Sequence, residues 1–112
     1  MSMQTILSID CGTQSIRALL FDEKGSVLAR EQVFYEPYFS RNPGWAEQDP
    51  AVFWDGLVRA CQLLKQSVPA LFENIGGVGV TTQRASMINV DEKGNPLRPA
   101  IIWMDQRRSD MH

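Results

Sequence analysis

Histidine and cysteine are scarce in this chain of 112 residues: there is one His, at the last position, and two Cys, Cys11 and Cys61. Zinc sites and disulfide frameworks need clustered thiols and imidazoles, so the sequence supports neither. Long apolar runs are missing as well. ALLF at 18–21 and GGVGV at 76–80 fall far short of a bilayer span, and the opening MSMQT lacks the basic-then-apolar layout of a secretory leader. These absences predict a cytoplasmic protein without a membrane partner. An excess of one charge is also lacking: 11 basic against 13 acidic residues leave a formal −2, which gives no electrostatic case for nucleic acid.

What is present is ordinary for a folded domain, with 44% hydrophobic and 21% charged residues. The whole of 1–112 reads as one small domain. Residues 5–9 and 16–21 are apolar runs with β-branched members and read as strands, and 27–35 alternates as a third. DEKG at 22–25 supplies the turn between the last two. The same tetrapeptide returns at 91–94, but shared turn chemistry explains it without an internal repeat.

Between the first two strands lies DCGTQS, 10–15, followed by Arg17. A turn explains part of this composition, because Gly12 frees the backbone and Asp, Thr and Ser satisfy nearby amides. An anion cradle is the other reading. Successive N–H groups in a Gly-containing bend can converge on phosphate oxygens, hydroxyls add donors, and a carboxylate can hold a hydrated Mg²⁺. Spacing alone does not separate the two. Cys11 fits this loop as a small packed thiol better than as a reactive one.

The stretch 36–50, with three prolines and a glycine, predicts an irregular surface segment ending in a helix start: Asp49 as N-cap and Pro50 at the first helical position. Phe53, Leu57, Ala60, Cys61, Leu64 and Val68 follow at helical spacing, and Pro69 closes the helix. After a turn near 71–74, IGGVGVTTQ predicts a fourth strand, MINV at 87–90 a fifth, and AIIW at 100–103 a short sixth. DQRRSDMH reads as a helix start with only eight residues remaining, which predicts that the chain is the first part of a longer protein.

DCGTQSIR resembles the first phosphate motif of the superfamily that joins sugar kinases, Hsp70 and actin. GWAEQDP with Trp54, GVTTQR and PAIIWMDQRR, in that order, resemble the N-terminal signatures of the FGGY carbohydrate kinases, and together the motifs span 6–108. The resemblance implies an α/β, RNase H-like fold of the actin, hexokinase and Hsp70 ATPase superfamily: a mixed sheet with flanking helices, present here as a partial domain. It also implies ATP-dependent phosphorylation of a sugar or polyol hydroxyl. By the same resemblance Asp10 organises Mg²⁺ through water, Gly12, Thr13, Gln14 and Ser15 cradle the β- and γ-phosphates, and Arg17 faces the phosphates. Gln83 and Arg84 match substrate-binding positions, against a plain reading as an exposed polar strand end. Trp103 matches a pocket-lining ring, against a core tryptophan, and Asp105 matches an acid of the sugar site, a role compatible with its plain reading as a helix N-cap. Trp45 and Trp54 read as packing that fastens the long loop to the helix.

Two departures bear on the substrate. Glycerol kinases carry Glu directly after the arginine of the QR motif, where this chain has Ala85, and the Met-His pair usual in xylulokinases is missing there. The acceptor is therefore left as a sugar or polyol. No acid here corresponds to the family's general base, which the resemblance places beyond residue 112, so this chain alone is expected to be inactive. The alternative from another class is a non-catalytic, actin-like nucleotide-binding or interaction module. Faces left uncovered in a partial domain predict self-association, so a homo-oligomer belongs among the expectations.

Overall fold

The computed structural model describes residues 4–107. Strands β1 (Thr5–Cys11), β2 (Ser15–Phe21) and β3 (Val27–Phe34) form an antiparallel meander, and β5 (Ile75–Thr82) joins the outer side of β1 in parallel, giving the order β3-β2-β1-β5. Helix α1 (Ala51–Ser67) and the short α2 (Pro69–Glu73) form the crossover from the meander to β5. A second, two-stranded sheet pairs β4 (Glu47–Gln48) with β6 (Ala100–Ile101). This is the expected mixed sheet with helices.

Period-two alternation decides which side of the meander is covered. Leu7, Ile9, Ile16, Ala18 and Leu20 point to one face and are buried against Ala60 and Leu64 of α1. Full burial of each Leu or Ile stabilises the fold by about 2 kcal/mol, so this face supplies the main core. Gly56 lets the helix approach, since a Cβ there would lie 3.1 Å from Ile16 Cγ2 and 3.3 Å from the Tyr35 ring. The alternate residues Ser8, Asp10, Arg17 and Leu19 face the other way.

Both DEKG turns close identically. Asp22 Oδ1 accepts from the N–H groups of Lys24 and Ser26, Asp91 Oδ1 from those of Lys93 and Asn95, and Gly25 and Gly94 adopt φ of 88° and 86°. The helix start also follows the sequence: Asp49 Oδ1 accepts from Ala51 N–H at 3.0 Å, and Pro50 has φ −56° and ψ −27°.

Several local expectations are corrected. Residues 71–74 lie in and just after α2, which Pro69 opens as well as ending α1. MINV is not a strand: 87–90 makes only the isolated bridges Met87–Ile101 and Val90–Pro96. Pro96 and Pro99 remove ladder donors, and Met87, Val90 and Leu97 are exposed, so no core holds a continuous ladder there. Trp54 does not fasten the loop. It is 66% exposed over a groove with Leu57, Val58, Val78 and Val80, while Phe53 does the anchoring through Tyr35 and the Ala46, Ala100 and Ile102 cluster. Residues 105–107 are not helical, and the rest of the expected final helix, 108–112, lies outside the described residues.

Candidate functional site

The parallel strands β1 and β5 end side by side at Cys11 and Thr82, and the polar loop and the QR segment leave the sheet at this same edge. Ligands of open α/β sheets gather at such carboxyl ends. Gln83 N–H donates to Cys11 O at 3.1 Å, which fixes the QR segment against the loop.

Within the loop the backbone polarity is sorted. Gly12 N–H closes the bend onto Ser15 O at 2.9 Å. Among the described residues, no acceptor takes the N–H of Thr13 or Gln14. Both hydroxyls of the loop act as acceptors toward the protein: Thr13 Oγ1 receives Trp103 Nε1–H at 3.0 Å, and Ser15 Oγ receives Gln32 Nε2–H at 2.9 Å. A hydroxyl that accepts from one side keeps its own proton to donate, so the loop offers unspent N–H and O–H donors to an anion.

Asp10 and Arg17 are cross-strand partners on the open face of the sheet, with Arg17 Nη2 3.2 Å from Asp10 Oδ2. Their side chains are 43% and 55% exposed, so the pair adds little to stability and leaves both groups available to a ligand. Thr81 was not legible as a site residue, yet its hydroxyl donates to Asp10 Oδ1 at 3.2 Å and orients the carboxylate. These residues line a groove of about 490 Å³ with Ser8, Leu19 and Arg30. A single half-exposed carboxylate fits a hydrated Mg²⁺, which keeps most of its waters and draws other ligands from phosphate. Among the described residues no cluster of three or more metal-ligating side chains occurs.

On the other side of the loop, Ser86 Oγ donates to Gln83 Oε1 at 3.0 Å and accepts Trp103 N–H at 3.2 Å. Ala85 sits between them at φ 58°, a left-handed angle that a non-glycine residue holds only when its surroundings impose it. Arg84 is exposed, and among the described residues it has no ion-pair partner. Trp103 is 54% exposed rather than core, with its indole tied to Thr13.

Asp105 is held inside the protein. Its side chain is 3% exposed and both oxygens are engaged: Arg107 Nη2 lies 2.7 Å and Ala46 N–H 2.8 Å from Oδ2, and Arg107 N–H 2.8 Å from Oδ1. The Arg107 guanidinium holds this carboxyl well below the usual carboxylate range. Arg107 also reaches the fully buried Glu47 at 3.3 Å and stacks 3.8 Å over Trp45, while Arg41 grips Glu47 in bidentate fashion at 2.7 and 2.9 Å. The Arg41 hydrogen bonds lower the Glu47 pKa despite its burial. This network mounts the segment that carries Trp103.

A pH dependence follows from the two depressed carboxyls. Their contribution to stability is complete above the ordinary carboxylate range and is lost as pH falls through their lower folded values. The unfolding midpoint is expected to stay level from neutral pH down to about 5 and to fall below about 4. Asp105→Asn should flatten that acid limb; an unchanged limb would show that the pair does not set it.

Residues 5–112 match the family described as "FGGY family of carbohydrate kinases, N-terminal domain". A glycerol kinase of Thermococcus onnurineus is 38% identical over 106 residues, which are 95% of this chain and 21% of that protein. Among solved structures, a "xyloylose kinase" from Brucella ovis superposes with a TM-score of 0.89 at 32% identity, over 93% of this chain and 22% of the other. A Plasmodium falciparum glycerol kinase with ADP gives 0.75 at 31% identity, over 94% and 21%. The chain thus spans about a fifth of the length of the curated relatives it matches.

Proposed function

The chain belongs to the FGGY family of carbohydrate kinases, and on that footing we propose that the protein carrying it phosphorylates a sugar or polyol hydroxyl with ATP, this chain supplying the first phosphate loop and part of the acceptor pocket. The observation that carries the reading is the sorted loop: N–H groups of Thr13 and Gln14 that find no acceptor among the described residues, beside two hydroxyls that still hold a proton to give.

In this reading Thr13, Gln14 and Ser15 hold the terminal phosphates by N–H and O–H donation, Gly12 gives the bend its shape, and Arg17 places positive charge beside them. Phosphoryl transfer asks the protein mainly to position and neutralise oxygens, which is what these groups offer. Asp10, steadied by Thr81, would hold Mg²⁺ through water, and the ion would supply neutralisation of charge on the phosphates. Arg84 and Gln83 donate hydrogen bonds to acceptor hydroxyls, and Trp103 provides an apolar wall for the carbon skeleton. Asp105 contributes through Arg107 and Ala46, by mounting Trp103, without touching the acceptor. The hydroxyl proton is taken by a residue outside this chain.

The test is formation of ADP by the whole protein with Mg·ATP across a panel of sugars and polyols. One or a few acceptors should stimulate it strongly; no stimulation by any, with nucleotide bound, would leave a binding module and refute the reading. Arg84→Ala should raise the acceptor KM by about tenfold or more, with the ATP KM unchanged, because charged hydrogen bonds are worth about 1.5–3 kcal/mol.

A further inference from the structure

The outward donors of the phosphate loop have an inward counterpart that motif reading did not reveal. Every carbonyl from residue 12 to residue 15 is turned into the protein onto a donor. The single Tyr35 O–H proton is shared between Gly12 O, the nearer acceptor, and Ser15 O at 3.2 Å, which also accepts Gly12 N–H. Tyr35 N–H donates to Gln14 O at 3.0 Å. Gln48 Nε2 donates to Thr13 O at 2.7 Å and to Glu36 O at 3.1 Å.

A peptide plane that points its carbonyl one way points its N–H the other, so fastening these carbonyls inward presents the Thr13 and Gln14 N–H groups outward. We propose that Tyr35 and Gln48 are positioning residues for nucleotide binding, acting by holding the phosphate loop in its donor-outward conformation. The inference rests on the kinase reading above and goes beyond it, since neither side chain faces the groove.

The supporting geometry is specific. Gln48 is 1% exposed and spends both hydrogen bonds of its amide nitrogen on carbonyls, while its Oε1 has no partner among the described residues. A buried amide with an unspent oxygen is retained at a cost in stability, which packing alone would remove by an apolar side chain. The Tyr35 ring is held edge-on to Phe53 at 5.9 Å between centroids and lies against Gly56. The helix therefore aims the phenol at the loop. Burial, together with Cys11 and Asp10, pushes its pKa up, so it remains a donor throughout the physiological range.

The experiment uses the whole protein and measures binding of Mg·ADP, alongside the KM values for ATP and acceptor, well below the thermal midpoint. Tyr35→Phe keeps the ring and removes the hydroxyl; Gln48→Met keeps the length and removes the donor. Each should weaken nucleotide binding by about fivefold to tenfold, the size of one ordinary hydrogen bond. The acceptor KM should stay within about twofold, because uniform binding of the other substrate is untouched. A merely structural role would lower the midpoint and leave affinity in the folded population unchanged. Should both variants bind Mg·ADP like the unmodified protein, or lose affinity for both substrates equally, the positioning role is wrong. If the unmodified protein binds no nucleotide, the kinase reading fails first, and this inference with it.

Discussion

Asp10→Ala in the whole protein is expected to cut turnover by about a hundredfold or more, the scale of removing one preorganised charged group, while acceptor binding stays nearly unchanged. The expectation rests on how little else the substitution disturbs. Asp10 is 43% exposed, and its partner Arg17, 55% exposed, stays solvated when left alone. Thr81 loses one acceptor and retains contact with Ile9 O at 3.4 Å. No buried charge is stranded and no core volume is lost, so the effect falls on the nucleotide side of the chemistry. Turnover is read by ADP release at saturating acceptor, and acceptor affinity by competition in the absence of ATP. A variant with undiminished turnover would mean that the carboxylate at the end of β1 has no part in transfer.

The second large effect is on stability. Glu47 is fully buried between Arg41 and Arg107, and breaking a buried ion pair costs about 3–5 kcal/mol in general. Arg41 is 54% exposed and recovers water when the carboxylate goes, and Arg107 keeps Asp105, so Glu47→Ala should cost about 2–3 kcal/mol. Neighbouring backbone bonds carry the damage to the site. Ile102 N–H donates to Ala46 O at 3.1 Å and Gln106 N–H to Gly44 O, so the segment holding Trp103 rests on the one that Glu47 secures. Denaturant unfolding should show the loss, and the acceptor KM should rise more than the ATP KM. An unaltered midpoint would show that the network contributes no net stability to the folded protein.

The meander, the crossover helix and the polar loop were legible because each has a local cause: period-two burial in β1 and β2, an Asp-Pro helix start, Asx turns at both DEKG sites. The misreadings fall where tertiary context decides. MINV has strand composition, but proline opposite and solvent around it leave two bridges. Trp54 and Phe53 are adjacent on a helix, and only the position of the small sheet decides which of them turns inward. In the site, the residue types in DCGTQS announced the donors, whereas Tyr35 and Gln48 carry no signal in sequence, since nothing local ties either to residue 12 or 13. Asp105 shows the reverse: motif position suggested a ligand group, and the arginine two residues later turns the carboxylate inward.

Phosphate binding at this loop runs through the outward N–H groups, and the amide resonances of Thr13 and Gln14 report on them. On addition of Mg·ADP to isotope-labelled whole protein, both should shift strongly downfield and become protected from exchange, ahead of amides elsewhere in β1 and β2. Nucleotide binding that leaves these two resonances where they were would contradict the claim that this bend receives the phosphates.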